Sequence, residues 1–185
     1  LMAAVGGEMN EKGSHVLLAP GMNIHRNPLC GRNFEYFSED PRLTGLMAAA
    51  ITRGVQQEEG YYVTVKHYAC NNQENMRFHV DVDCDERTLR EVYLSHFKKC
   101  MDAGAASVMG SYNRFRGDQA SESEYLLTKV LRDEWGFQGF ALTDFIFALR
   151  DSAKAIRAGM DMEMPIPVHY GMELLKHVDE LSLIH

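Results

Sequence analysis

The chain has 185 residues, 26 of them acidic and 19 Lys or Arg, so it carries a net charge of −7, and 45% of it is hydrophobic. An acidic balance without a dense Lys/Arg block argues against a nucleic-acid or anionic-membrane surface, because either partner demands clustered cations. The longest strictly apolar stretch is 46–51 and mean hydropathy is −0.29, whereas a bilayer span takes roughly 20 apolar residues, so no transmembrane helix is read.

Residues 1–12 read as the tail of an amphipathic helix whose start is cut. No charged n-region and apolar h-region precede it, so no signal peptide is visible; localisation is left open, with the cytoplasm favoured. Short apolar runs at 16–19, 62–65, 107–112, 140–143 and 160–164 read as buried strands. Between the first two, Leu43, Leu46, Met47, Ala50, Ile51 and Val55 recur at helical spacing over 41–57, behind Asp40 as N-cap and Pro41 at N1. A second helix over 86–103 has Asp85 as cap and Gly104 as stop. Ser121 with Glu124 reads as a capping box for a third, which Gly136 ends. Two more are expected over 148–158 and 172–181. The four cysteines, Cys30, Cys70, Cys84 and Cys100, are scattered through a chain long enough to bury a core unaided and do not read as a disulfide framework.

Strand and helix in strict alternation predict an α/β protein of about five parallel strands, either a doubly wound sheet or a β/α barrel. No glycine-rich phosphate-cradling turn follows a strand, which removes the nucleotide-binding alternative. Polar residues stand at the strand ends instead: Lys66 and His67, then Tyr112 and Asn113, then Asp144. That is where barrel active sites are built. Asp144, between Phe140-Ala-Leu-Thr and Phe145-Ile-Phe, is either a carboxylate kept for chemistry or the N-cap of the 148–158 helix. Lys66 and His67 are either functional, if the chain turns there, or a paired core cation and a buried imidazole. Arg32, in the long 23–41 connection, is either a planar fork for hydroxyls or a brace to Glu35 or Glu39. Asp81, Asp83 and Asp85 lack the glycine and terminal Glu of a calcium loop and are read as a solvated strand face and a cap. His67 and Cys70 form a lone metal-like pair with no second pair, so neither a metal nor a cofactor is implied.

Four motifs in order carry a resemblance. The run from Val16 through Pro20-Gly-Met-Asn-Ile-His-Arg-Asn-Pro-Leu-Cys-Gly-Arg-Asn-Phe-Glu35, then Lys66-His-Tyr-Ala-Cys-Asn-Asn-Gln-Glu74, Ser111-Tyr112-Asn113 and Leu142-Thr-Asp-Phe145 resemble the family-three glycoside hydrolases of the β-glucosidase group. The resemblance implies a (β/α)8 TIM-type barrel, here incomplete over 1–185, and a retaining glycosidase acting on β-linked glucosides or related glycosides. It makes Asp144 the catalytic nucleophile, with Arg32, Lys66 and His67 holding sugar hydroxyls and Tyr112 beside the nucleophile. The physical reading agrees: an oxocarbenium-like transition state needs a nearby anion, and hydroxyl pairs suit an Arg fork and a Lys donor.

The chain departs from the family pattern at Phe145, where the commonest members carry Trp, which alters an aromatic wall. The upstream part with a sugar-binding Asp, and the α/β sandwich domain that carries the acid/base in the β-glucosidase branch, are absent from the chain. A branch acting on N-acetylglucosaminides uses a loop His behind an Asp; His79 lies in that loop, but Arg77 occupies the Asp position, so His79 is read as a loop residue. The isolated chain is expected to be inactive on plain disaccharides for lack of an acid. Its partner is a carbohydrate, with homo-oligomers through exposed sheet edges also expected; the alternative is a non-catalytic fragment or sugar-binding remnant that self-associates.

Overall fold

The computed structural model describes residues 1–177. Helix α1 (Met2–Glu11) precedes β1 (Val16–Leu17), which is shorter than the 16–19 run because Pro20 has no N–H for the ladder. The chain returns to the sheet at Gly21, bridged to Lys66, with Met22 N donating to Lys66 O at 2.7 Å. Helix α2 (Pro41–Val55) starts where Asp40 accepts a 2.7 Å hydrogen bond from Arg42 N, with proline in its first turn. Strand β2 (Tyr62–Tyr68) runs three residues beyond the expected 62–65.

Helix 86–102 is continuous but not uniform. It comprises α3 (Glu86–Thr88), a π-helical segment (Leu89–Leu94) and α4 (Ser95–Asp102), and Asp85 caps it by accepting from Thr88 N at 2.9 Å. Strand β4 (Ser107–Gly110) is shorter than the 107–112 run. Short strands β3 (Asp81–Val82), β5 (Arg114–Phe115) and β6 (Asp118–Gln119) make a separate small sheet. The β5–β6 hairpin turns at Arg116 (φ 51°) and Gly117 (φ 90°), the pair of positive φ values that a two-residue turn requires.

The Ser121–Glu124 capping box does not form. A 3₁₀ turn, Ala120–Glu122, occupies that place, and it is Ser123 Oγ that accepts from Leu126 N at 3.3 Å as the π-helix Tyr125–Glu134 begins. Gly136 (φ 66°) follows the helix, its N–H donating to Arg132 O at 3.0 Å. Strand β7 (Phe140–Thr143) matches its expected bounds. Helix α5 (Ser152–Ala158) starts four residues later than expected, because Asp151 caps it by accepting from Lys154 N at 2.9 Å.

The main sheet is wholly parallel, in the order β1-β2-β4-β7, with Thr64 opposite Ser107 and Ser107 opposite Phe140. The fifth strand, expected at 160–164, is reduced to a bridge between Leu142 and Met162. Asp161 Oδ2 takes the Ala141 N–H at 2.7 Å, so a side chain holds part of the ladder. Of the 172–181 helix the structure has α6 (Met172–Leu175), and the rest lies beyond the described residues. Among the described residues the main sheet therefore has four strands rather than five, and the architecture is α/β, consistent with the arc of a (β/α)8 barrel that the resemblance implies. Its core joins Val63, Val65, Val108 and Ala141 of the sheet to Ala48, Phe97, Leu127 and Leu131 of the helices. Tyr68 crosses this core, edge-on to Phe97 at 5.3 Å, and its hydroxyl donates to Leu126 O at 2.9 Å. Because the strands are parallel, their carboxyl ends share one rim.

Candidate active site

Adjacent residues in a regular strand face opposite ways, yet Lys66 and His67 both reach the rim. The register explains it: Lys66 pairs with Met109 and Tyr68 with Gly110, so His67 is an extra residue bulged from the β2–β4 ladder. Asn23, in the loop after β1, holds the bulge. Its Oδ1 accepts from His67 N at 2.9 Å and its Nδ2 donates to His67 O at 2.9 Å.

Asp144 follows β7, and its own N–H donates to Gly110 O at 3.0 Å. Its residue exposure is 7%. Oδ1 accepts from Phe145 N at 2.8 Å, while Oδ2 has no hydrogen-bond partner and stands 3.6 Å from His67 Nε2. Burial raises the carboxyl pKa above its usual value, a shift opposed by the Phe145 N–H, Tyr112, Arg32 and Arg77. Since α5 takes Asp151 as its cap, Asp144 is not that helix's cap. Two residues on, Ile146 lies at φ 61°, a left-handed conformation that costs a β-branched residue about 1–3 kcal/mol.

Tyr112 closes one side. Its hydroxyl donates to Phe145 O at 2.9 Å, and burial together with the Asp144 carboxylate pushes its pKa up to about 12, which keeps it a proton donor. The Phe78 ring stands edge-on to Tyr112 at 4.8 Å and to Phe147 at 5.3 Å. The Arg77 guanidinium lies over Tyr112 at 4.7 Å, tied to Glu74 by a 2.5 Å ion pair.

On the other side Glu35 joins the cations. It accepts from Arg32 and stands 3.6 Å from Lys66 Nζ. Gly21 makes this approach possible, because a Cβ there would sit 2.8 Å from Glu35 Oε2. Arg32 is thus braced to Glu35, as one of its two readings had it, and Lys66 is paired with a carboxylate, while both stay at the rim, each with a fifth of its side chain exposed. Burial, reinforced by Arg32, Lys66 and Arg77, holds His67 neutral by driving its pKa well below the usual value.

Pairwise contacts connect the five expected site residues at the rim: Arg32 and Lys66 meet at Glu35, His67 faces Asp144, and Tyr112 holds the carbonyl next to Asp144, whose Oδ2 has no partner. Sequence reasoning passed over Asn23, Tyr36 and Phe78 and met Arg77 only as a departure; a buried asparagine or tyrosine in a loop carries no periodic signal. His79 is exposed in the 76–79 turn, and Glu163 Oε2 accepts from the His169 and Tyr170 amides at 2.7 and 2.8 Å, while its Oε1 is buried without a partner. Among the described residues no group of three His, Cys, Asp or Glu is disposed to hold a metal. A cavity of about 510 Å³ lined by Arg26, Cys70, Cys84 and Tyr93 contains none of the five rim residues.

Comparison with known proteins bears on this arrangement. The chain is 50% identical over 165 residues to a beta-glucosidase of Rhizobium radiobacter, an alignment covering 89% of the chain and 20% of that protein. It is 48% identical over 164 residues to thermostable beta-glucosidase B of Acetivibrio thermocellus, covering 88% of the chain and 22% of that protein. The chain thus spans about a fifth of the length of these relatives. The structure of beta-glucosidase 3B from Thermotoga neapolitana in complex with glucose matches with a TM-score of 0.91 at 44% identity, over 98% of this chain and 26% of that one. The complex of the same enzyme with glycerol matches at 0.92 and 44% identity, over 99% and 27%. The model of the glycosyl hydrolase family 3 N terminal domain matches residues 2–184, and the chain belongs to that family.

Proposed function

We propose that the chain supplies the nucleophile and sugar-binding half of a retaining β-glucosidase, with Asp144 attacking the anomeric carbon to form a glycosyl-aspartate. The observation that carries this reading is the unpartnered Oδ2 of Asp144, buried at the strand ends with His67 Nε2 at 3.6 Å. A buried carboxylate oxygen left unpaired is costly, and a nucleophile must keep a lone pair free of hydrogen bonds. Arg32, Lys66 and His67 present donors to hydroxyls of a glucose-type sugar, while the Tyr112 hydroxyl keeps the nucleophile side ordered. Phe78, Tyr112 and Phe147 form an aromatic wall suited to the apolar face of a pyranose ring.

The leaving oxygen needs an acid about 5–5.5 Å from the nucleophile. Glu35 and Glu74 are engaged by arginines, Glu163 by backbone amides and Glu122 by the amides of Arg150 and Asp151. Of these, only Glu163 keeps a buried oxygen without a partner, Oε1, and its other oxygen is fixed by two backbone amides; the acid/base is assigned instead to the α/β sandwich domain that family resemblance implies. The chain alone therefore turns over no plain disaccharide. In a full-length enzyme carrying this chain, Asp144→Asn should lower kcat by about 10⁴-fold or more with the fold intact. A variant with near-parental kcat would remove Asp144 from the role.

A further inference from the structure

We infer that Tyr36 is a positioning residue that sets the tautomer of His67, keeping its proton on Nε2 where the imidazole faces Asp144. The inference rests on the glycosidase reading only for its consequence, sugar binding; the tautomer is argued from the groups that face the two ring nitrogens.

Two groups stand at His67 Nδ1: the Tyr36 hydroxyl at 3.2 Å and Asn23 Oδ1 at 3.3 Å. They ask for opposite things. The Asn23 amide cannot flip, because it already accepts from the His67 N–H and donates to the His67 carbonyl, so it presents only an acceptor to the ring. Left to Asn23 alone, Nδ1 would carry the proton. Nε2 would then turn a lone pair toward the Oδ2 of Asp144, 3.6 Å away, and repel it. A hydroxyl at Nδ1 reverses the choice, since it donates to Nδ1 and leaves the proton on Nε2, pointing at the carboxylate and the sugar position.

Tyr36 is fixed for this task. It is buried, its ring meets the His67 ring edge-on at 6.3 Å, and the Arg32 guanidinium lies over its face at 5.8 Å. Burial raises the phenol pKa, so the hydroxyl keeps its proton at neutral pH. The ring thereby ties the Arg32 loop to the β2 bulge, and two sugar-facing donors share one support.

The test is long-range ¹H–¹⁵N correlation NMR of the chain labelled in histidine, with His67 assigned through His67→Asn. The parental chain should show Nε2–H, and Tyr36→Phe, which keeps the ring and removes only the hydroxyl, should shift His67 toward Nδ1–H. An Nδ1–H tautomer in the parental chain overturns the inference, and so does an unchanged tautomer in Tyr36→Phe. The parental spectrum decides even where the variant does not fold. Glucose titration forms a second arm: Tyr36→Phe should raise the glucose Kd about tenfold, the worth of one hydrogen bond. A parental chain with the expected tautomer but no response to glucose supports the tautomer and counts against the glycosidase reading, so the two failures are told apart.

Discussion

The middle of the parallel sheet and its carboxyl rim bury polar groups by opposite rules. In the middle, the hydroxyls of Thr64 and Ser107 are fully buried opposite one another, 2.5 Å apart, and Ser107 Oγ donates onward to Val63 O at 3.1 Å. Each is satisfied by its neighbour. At the rim, at the far end of β2 and just past β7, a carboxylate oxygen is left without a partner, an imidazole is kept neutral and an isoleucine takes a left-handed φ. Folding energy accounts for the first arrangement. The second costs stability and makes sense as a site held ready for a ligand.

That contrast can be broken from either end. Arg32→Lys in a full-length enzyme should lower kcat/KM about 10- to 100-fold, since a point-charge ammonium cannot reproduce a fork held by Glu35. Unchanged steady-state kinetics would reduce Arg32 to a loop brace. In the middle of the sheet, Ser107→Ala leaves the Thr64 hydroxyl buried and unpaired and should cost about 1–3 kcal/mol in urea unfolding, without touching sugar binding. A neutral result there would mean that the sheet centre tolerates loose polar groups, and the rim would lose its distinction.

A pH-dependent effect comes from His96, fully buried in α4, whose pKa burial lowers to about 3. The unfolded chain binds that proton near pH 6.5 and the folded chain does not. Stability should therefore be complete above pH 6.5 and fall as pH drops toward 3, by about 1.4 kcal/mol per unit for this group. His67, displaced in the same direction, adds to the slope. His96→Leu should flatten it by one proton's worth, read from urea melts across that range; an unchanged slope would show that His96 is protonated in the folded chain.

Much of this was legible in the sequence, and the exceptions have physical causes. Asp40 before Pro41 and Asp85 before the 86–102 helix act as caps because capping is local chemistry, settled within a few residues. Ser121 shows the limit: it fits the capping pattern, but Gly110 packs so closely that a Cβ there would lie 2.5 Å from Ser121 Oγ, and the serine is spent on packing while Ser123 caps. The 160–164 strand shrinks to one bridge because Asp161 takes a ladder donor, which no apolar run reveals. At the site, the strand-end residues Lys66, His67, Tyr112 and Asp144 stood out as polar side chains at the ends of apolar runs. Asn23 and Tyr36 did not, because their role lies in contacts 44 and 31 residues away in the chain.

The central claim is that this chain holds a competent nucleophile and lacks the acid. Incubation of the chain with dinitrophenyl β-glucoside separates the two, because that leaving group departs with little help from an acid. Mass spectrometry of the digested protein should find one hexosyl unit on the peptide containing Asp144, none in Asp144→Asn, and no turnover of a plain glucose disaccharide by the same sample. An unmodified Asp144 peptide, an adduct on another residue, or sustained disaccharide hydrolysis that Asp144→Asn abolishes would contradict the account.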